Sequence, residues 1–160
     1  MPDSRHTNAR LIESLYAAFA RRDGSAMAAC YAPGATFNDP VFDLRGREIG
    51  AMWRMLCERG ADLRVEARDI SADAHAGRAH WDAWYTFSAT GRPVHNEIDS
   101  AFTFEDGRIA SQRDVFDLWR WSRMALGKKG ALLGWTPIVR KAIRKQARQS
   151  LDAWMAAEPA

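Results

Sequence analysis

Apolar and polar residues alternate along three consecutive segments in the second half of the chain, and the alternation predicts three β-strands. The segments are residues 78–89, 93–104 and 108–117, separated by glycine-containing turns at Thr90-Gly91 and Glu105-Asp106-Gly107. Period-two alternation is typical of a strand with one buried face, and a short glycine turn between two such strands predicts a hairpin. The rest of the chain is therefore expected to be organised around a three-stranded antiparallel ladder.

The two turns also predict which residues face each other. The predicted cross-strand pairs are Tyr85 with Asn96, Trp81 with Ser100, and Ile98 with Asp114. Four polar side chains fall on the mostly apolar inner face, namely Asn96, Ser100, Gln112 and Asp114. Asp99 is placed on the outer face, opposite Arg113. Because buried polar groups cost free energy unless they meet partners or a ligand, the inner face predicts a small-molecule pocket.

The first half of the chain shows helical spacing of its apolar residues. Helices are predicted over residues 8–22, 25–32 and 47–59, and strands over residues 35–38 and 63–70. Helices that precede a ladder of sequential strands predict an α+β domain.

Composition changes after residue 117. Residues 118–160 carry nine basic and two acidic residues, a net charge of +7, so the remainder carries −4 of the total +3. We therefore predict a domain over residues 1–117 and a basic, Trp-rich helical extension over residues 118–160. Pro137 starts an amphipathic helix. We expect its apolar stripe to pack on the domain or on a second copy, with contact to an anionic membrane surface as the minor alternative.

Several classes of site are not indicated. Cys30 and Cys57 have no CxxC or His partner nearby, so neither a disulfide nor a metal site is expected. No apolar run reaches the length of a membrane span, and the N-terminal residues lack an apolar leader core. The expectation is a cytoplasmic protein that needs no cofactor and, with an acidic domain body, binds no nucleic acid.

The order of elements, with the segments YAAFARRDGSAMAACYAPGATFNDPVF and FEDGRIASQRDVFD, resembles the nuclear transport factor 2-like superfamily. It is most similar to the branch of SnoaL-like polyketide cyclases and ketosteroid-isomerase-like proteins, over about residues 8–117. The resemblance implies a cone-shaped curved antiparallel sheet wrapped by N-terminal helices, with an apolar pocket at the open end of the cone, commonly in a homodimer. It implies no single function, because this superfamily includes isomerases, cyclases, epoxide hydrolases and non-catalytic binders.

Two aspartates are the candidate catalytic residues. Asp39 falls where the ketosteroid isomerases place a general base, although an Asp-Pro pair is also a common turn. Asp114 resembles in position the acid or base of cyclases and epoxide hydrolases, although a hydrogen-bonded structural aspartate is the competing interpretation. The isomerase tyrosine position holds Leu15, with Tyr16 one place along, and the second oxyanion donor falls on Asp99 or Ser100. Facing favours Ser100, so steroid isomerisation is not expected.

The function hypothesis is an enzyme that isomerises, cyclises or hydrolyses a small apolar, carbonyl-bearing or polycyclic compound by proton transfer through Asp39 and Asp114. The predicted substrate-binding residues are Tyr16, Trp53, Trp81, Tyr85, Asn96, Ser100, Gln112 and Phe116. The alternative is a non-catalytic ligand-binding or membrane-peripheral module of the same fold.

The outer face of the ladder predicts self-association. Its residues include His80, Trp84, His95 and Val115, more aromatic surface than a solvated sheet usually shows. A homodimer through this face is expected. The histidines and neighbouring carboxylates could also bind a metal, but a solvated or dimer-forming face is the preferred interpretation.

Overall fold

The structure is a computed structural model that describes residues 4–158. Six helices lie in this part of the chain: α1 (Ser4–Ala20), α2 (Gly24–Ala28), α3 (Arg47–Arg59), α4 (Leu118–Leu126), α5 (Lys128–Leu133) and α6 (Pro137–Ala157). The same part contains six strands: β1 (Tyr31–Asn38), β2 (Asp43–Arg45), β3 (Arg64–Ala72), β4 (Ala76–Phe87), β5 (Arg92–Glu105) and β6 (Arg108–Val115).

The strands form one curved, unclosed sheet in the order β2-β1-β6-β5-β4-β3. The structure confirms the predicted α+β fold class, with helices before the ladder of strands and helices after it. The fully antiparallel sheet was wrong, because β1 runs parallel to β6, with Phe37 beside Gln112. Nothing in the short β1 sequence indicates this partner, since it comes from a strand more than seventy residues later.

β1 begins earlier than the sequence predicts. The helix expected over residues 25–32 ends at Ala28. Its N-cap is Asp23, whose side chain accepts the Ala26 N–H. The Ile109 N–H donates to the Cys30 carbonyl at 2.9 Å and draws the chain into the sheet. Pro33 then lies within β1, where the pairing with β6 shifts register between Tyr31 and Thr36. An irregular ladder tolerates a residue that has no N–H to donate.

The hairpin registers differ from the prediction by two residues. Phe87 closes the β4–β5 hairpin against Arg92, so its loop has four residues and not two. Tyr85 consequently faces Val94, and Trp81 faces Ile98. A slip of two leaves every side chain on its predicted face. Asn96 and Ser100 are therefore buried as expected.

The β5–β6 hairpin is shifted in the same way. Opposite Thr103 and Phe104, a bulge leaves Ala110 of β6 without a partner, and a tighter turn closes at Glu105 and Arg108. Ser100 consequently faces Asp114, which we had placed opposite Ile98. Asp99 does lie on the exposed outer face, but it pairs with Val115, so its predicted pairing with Arg113 was wrong.

The core lies between the helices and the concave face of the sheet. Its centre is an aromatic cluster in which Trp53 contacts Phe19, Phe37 and Trp81 edge-on, at centroid distances of 5.0, 5.6 and 6.5 Å. Tyr16 packs on Trp81 at 5.6 Å. Trp53 is 2% exposed and Trp81 6%. Tyr16, Trp53 and Trp81, which we predicted to bind substrate, therefore pack against one another in the core.

The C-terminal helices contact the domain at two places. α4 covers the loop end of the β4–β5 hairpin, where the Trp121 Nε1–H donates to the Tyr85 hydroxyl at 2.8 Å. α6 lies along α3, with Leu151 fully buried and an Arg54–Glu158 ion pair at 2.7 Å. Within residues 4–158, no helix combines the length and apolar character that crossing a membrane requires.

Candidate active site

Asp114 is a buried carboxylate near the end of β6, on the concave face. Its Oδ1 atom accepts two hydrogen bonds, from Ser100 Oγ at 2.6 Å and from Gln112 Nε2 at 2.9 Å. Within the described part of the chain, no hydrogen bond reaches Oδ2. The two carboxylate oxygens are therefore in different situations, one held by the protein and the other available.

Two chains of hydrogen bonds end on Oδ1, and both begin at a tryptophan. In the first, Trp81 Nε1 and the Tyr16 hydroxyl donate to Ser100 Oγ at 2.8 and 3.0 Å. In the second, Trp53 Nε1 donates to Tyr31 at 2.9 Å, and Tyr31 donates to the Gln112 carbonyl at 2.5 Å. An indole N–H can only donate. Both chains are thus directed towards the carboxylate.

Burial raises the pKa of Asp114 to about 7, against the lowering effect of the bonds from Ser100 and Gln112, and the nearby Asp39 charge raises it further. Burial, reinforced by the charge of Asp114, also raises the pKa values of Tyr16 and Tyr31 well above 10, so both phenols keep their protons and remain donors. With Oδ1 occupied by two donors, the exchangeable proton of Asp114 belongs on Oδ2. The group can take up or release a proton near neutral pH.

Asp39 lies in the loop between β1 and β2 and forms the turn that its sequence allowed. Its Oδ1 accepts the backbone N–H groups of Val41 at 2.7 Å and Phe42 at 2.6 Å. Burial raises its pKa to about 6, although these two bonds act in the opposite direction. Oδ2 of Asp39 has no hydrogen bond among residues 4–158. Being a turn residue does not prevent this carboxylate from exchanging a proton.

A pocket of about 380 Å³ brings the two aspartates together at the ends of β1 and β6. Its lining residues are Asn38, Asp39, Pro40, Val41, Phe42, Asp43, Arg113, Asp114, Val115 and Arg144. Arg144 comes from α6 and donates Nε–H to the Pro40 carbonyl at 2.8 Å. The extension therefore forms one wall of the entrance, and much of the rim is polar.

None of the eight predicted substrate-binding residues is among the lining residues of this pocket. Tyr16, Trp53 and Trp81 pack in the core, and Phe116 is half-buried against it. Ser100 and Gln112 hold the Asp114 carboxylate, and the Tyr85 hydroxyl accepts the bond from Trp121. Most of the set thus supports the carboxylate or the core.

Asn96 is the exception. Its side chain is on the concave face and the residue is 7% exposed, yet its amide makes no hydrogen bond within residues 4–158. Among the described residues only Arg140 Nε is a buried polar side-chain atom without a hydrogen-bond partner, so the Asn96 amide is accessible to solvent. A ligand that reached this part of the concave face could bond to it, and Asn96 therefore remains available to orient a substrate.

Tyr31 belongs to the site but was not predicted. Its hydroxyl links Trp53 to Gln112 and so helps to position Asp114. The sequence interpretation placed it in a helix because Pro33-Gly34 was taken as the end of that helix. Alternate positions from Tyr31 through Ala35 to Phe37 are apolar, and this period-two pattern across the proline was the available signal.

The profile of the SnoaL-like domain family matches residues 12–112, most of the folded domain. The chain belongs to this family. The match spans the strands that carry Asn96, Ser100 and Gln112 and ends two residues before Asp114. No curated protein sequence matches the chain.

Solved structures with a similar fold include an M. tuberculosis LEH-like epoxide hydrolase, 21% identical, with a TM-score of 0.62, covering 82% of this chain and 98% of that one. A protein from Xanthomonas campestris pv. campestris, provisionally named a polyketide cyclase, is 22% identical with a TM-score of 0.64, covering 76% and 98%. A Catenulispora acidiphila protein with a ketosteroid isomerase-like fold, bound to trimethylamine, is 15% identical with a TM-score of 0.65, covering 79% and 97%. At these identities the likeness is one of fold, the nuclear transport factor 2-like fold.

The structure does not assemble the two oxyanion donors that the isomerase resemblance implies. Leu15 is buried in the core, and the Tyr16 hydroxyl donates to Ser100. Asp99 is exposed on the outer face, where its carboxylate contacts His80 Nδ1 at 2.9 Å. The residues at those positions therefore either support Asp114 or point away from the concave face.

The outer face holds a cluster of titratable groups that is already paired. His80 lies between Asp82 and Asp99, at 3.0 and 2.9 Å, and His95 contacts Asp82 at 2.7 Å. Burial of Asp82 raises its pKa, but the bonds from His95 and His80 outweigh this effect, so its pKa lies below the usual value. Ligand atoms of His80, Asp82 and Glu97 lie within 4.8 Å of one another, a spacing that a metal ion could use. Each of these groups already has a side-chain partner, which for Glu97 is Arg120 at 3.1 Å.

Proposed function

We propose that this protein is a small-molecule enzyme in which Asp114 transfers a proton to or from a substrate bound at the ends of β1 and β6. The observation that carries the proposal is the arrangement at one carboxylate. Two directed hydrogen-bond chains hold Oδ1, Oδ2 accepts no hydrogen bond within residues 4–158, and Asp114 is among the residues that line a pocket of about 380 Å³. An acid or base needs one such oxygen to exchange a proton with a substrate.

The second carboxylate extends the chemistry that the pocket can support. Burial raises the pKa values of Asp39 and Asp114 to about 6 and about 7, both close to neutral pH. Two carboxyl groups that exchange protons near neutral pH can divide the acid and base roles between them. In hydration of an epoxide, one would take a proton from water while the other protonates the ring oxygen as the C–O bond breaks. In isomerisation or cyclisation of a carbonyl compound, one carboxylate would move a proton between carbon and oxygen.

The substrate class follows from the size and lining of the site. A compound of roughly ten to twenty heavy atoms with one epoxide or carbonyl oxygen fits a pocket at the lower end of the usual ligand-site volumes. Its polar atom would meet Asp114 Oδ2 at the polar rim. Its apolar part would have to enter the concave side, towards the unpaired amide of Asn96 and the half-buried ring of Phe116. The family resemblance supports these reaction types, all of which move a proton.

The test is turnover of a panel of small epoxides and unsaturated ketones by the wild type and matched variants. Asp114→Asn keeps an oxygen for Ser100 and Gln112 but removes the exchangeable proton, so kcat should fall by about 10²- to 10⁴-fold. Asp106→Asn is the matched control, because Asp106 is an exposed carboxylate in the β5–β6 turn, at the opposite end of β6 from Asp114. It should retain wild-type rates.

The alternative is a binding module of the same fold. It would be supported if panel compounds raised the melting temperature of the wild type without being consumed, and equally raised that of Asp114→Asn. Turnover that survives Asp114→Asn would contradict the role assigned to this carboxylate.

A further inference from the structure

A group of apolar side chains in the C-terminal extension is exposed to solvent. At the junction of α5 and α6, Leu132 is 71% exposed, Leu133 45%, Trp135 60% and Ile138 83%. We call these four residues the apolar tip. We expected the apolar side of the extension to be buried on the domain or on a second copy. In the single chain these four side chains are not buried on the domain.

The segment that carries the apolar tip is packed. Trp119 Nε1 donates to the Ala131 carbonyl at 3.1 Å, and Trp135 Nε1 donates to the Leu132 carbonyl at 3.0 Å. Gly130 lies so close to α4 that an added Cβ would be 1.9 Å from the Ser122 carbonyl oxygen. Thr136 caps α6 through the Val139 N–H. The apolar side chains are therefore presented outward by an ordered turn.

The surroundings of the apolar tip are basic. Lys128 and Lys129 precede Leu132 and Leu133 by one turn of α5, and Lys141 and Lys145 follow Ile138 on the same face of α6. All four are exposed, and they are the only lysines of the chain. No acidic residue occurs between residues 118 and 151. The apolar tip therefore lies in a segment whose charged residues are all basic, whereas residues 1–117 carry a net negative charge.

We propose that the apolar tip and its four lysines form a docking surface for an anionic membrane. Exposed Leu and Ile side chains can enter the acyl boundary, Trp is favoured at the interface, and lysines beside them meet acidic headgroups. The chemistry also favours lipid over an acidic protein, because these four apolar side chains are 45–83% exposed and none of them lines the pocket of about 380 Å³. This inference is independent of the chemistry proposed for Asp114.

The experiment is co-sedimentation of the full chain with vesicles of phosphatidylcholine alone or with 30% phosphatidylglycerol. We expect sedimentation with the anionic vesicles, weakened by salt, and little with the neutral ones. The apolar variant Leu132→Ser/Ile138→Ser and the charge variant Lys128→Glu/Lys129→Glu should each bind at least about tenfold more weakly. All four positions are exposed, so both variants should keep the wild-type melting temperature.

Matched controls lie on other surfaces. Val115→Ser removes an apolar side chain that is 56% exposed on the outer sheet face, and Arg10→Glu/Arg108→Glu reverses two exposed charges on α1 and β6. Both controls should bind vesicles nearly as well as the wild type. No sedimentation of the wild type, or equal loss in variants and controls, would overturn the proposal. Loss of a dimer by light scattering in the apolar variant, without vesicle binding by the wild type, would identify a second copy as the occupant instead.

Discussion

Two buried carboxylates, Asp114 and Asp39, should lower the stability of this protein as the pH rises, and Asp114 has the larger pKa shift. Asp114 has an unfolded pKa near 3.8 and a folded pKa of about 7. Below pH 3.8 both states bind the proton. As the pH rises towards 7 the unfolded state releases it and the folded state does not, so the free energy of unfolding falls, by up to about 4 kcal/mol at 1.36 kcal/mol per pH unit.

The first prediction is that Asp114→Asn is more stable than the wild type at pH 8 and similar to it at pH 4. The asparagine oxygen still accepts from Ser100 and Gln112, but no charge has to be buried. Urea unfolding at pH 4, 6 and 8 measures the difference. Asp43→Asn, which removes an exposed carboxylate, should follow the wild type across the range. Parallel stability curves for wild type and Asp114→Asn would show that burial does not shift the pKa as described.

The second prediction concerns the Ser100 hydroxyl, which takes part in three hydrogen bonds. Ser100→Ala leaves the Trp81 N–H and the Tyr16 hydroxyl without an acceptor and removes a donor from Asp114. Two unsatisfied buried donors should cost about 2–5 kcal/mol of unfolding free energy. Losing the hydrogen bond from Ser100 should also raise the pKa of Asp114. Any limb of the pH–rate profile that reports the ionisation of Asp114 should therefore shift to higher pH.

Ser111→Ala is the control for that measurement. Its hydroxyl bonds Thr103 across the same two strands, but on the exposed face. Chemical denaturation of the two variants separates the effects, since the Ser111 change should cost less than about 1 kcal/mol. A cost for Ser100→Ala no larger than this would mean that the hydrogen-bond chain contributes little to the fold.

The third prediction contrasts two leucines of the C-terminal extension. Leu151 on α6 is fully buried, whereas Leu132 at the apolar tip is 71% exposed. Leu151→Ala should therefore lower the free energy of unfolding by about 2–5 kcal/mol. Leu132→Ala should change it by less than about 0.5 kcal/mol. Thermal melts of the two variants give the comparison, and equal effects would show that α6 does not pack as part of the core.

The helices and strands show where sequence patterns are sufficient. The bounds of α3 and the facing of Asn96, Ser100 and Asp114 follow from local periodicity, which depends only on neighbouring residues. The hairpin registers were wrong by two because a loop length and a bulge shift the pairs without changing the faces. Periodicity does not distinguish such alternatives.

The role of the inward polar residues could not be obtained in the same way. Ser100 and Gln112 were predicted to bind substrate because they face inwards, yet they hold Asp114. Knowing this requires the position of Tyr31, which reaches Gln112 only because β1 runs parallel to β6. The pairing of β1 with β6 brings the side chains of residues 31 and 112 together, and no local sequence pattern encodes this long-range pairing. The candidate carboxylates were predictable, and the network that prepares one of them was not.

The distribution of surface groups over the whole chain bears on its assembly. The net charge of +3 describes neither part of the chain, because the extension is basic and the domain is acidic. On the outer sheet face, Trp84 stacks on His95 at 4.6 Å and under Arg64 at 4.1 Å, while Val115 remains 56% exposed. This face is partly apolar and carries groups of both signs, which suits contact with an identical face related by a two-fold axis.

The fourth prediction is therefore a homodimer through the outer sheet face. Light scattering at micromolar concentration should give a mass near twice the 18.0 kDa of one chain. Val115→Lys puts a like charge opposite itself across the symmetry axis and should shift the mass towards one chain. Leu132→Ser/Ile138→Ser, on the apolar tip, should leave it unchanged if the two surfaces have separate partners. A wild-type mass of one chain would refute the dimer, and dissociation by the apolar-tip variant alone would transfer the interface to the extension.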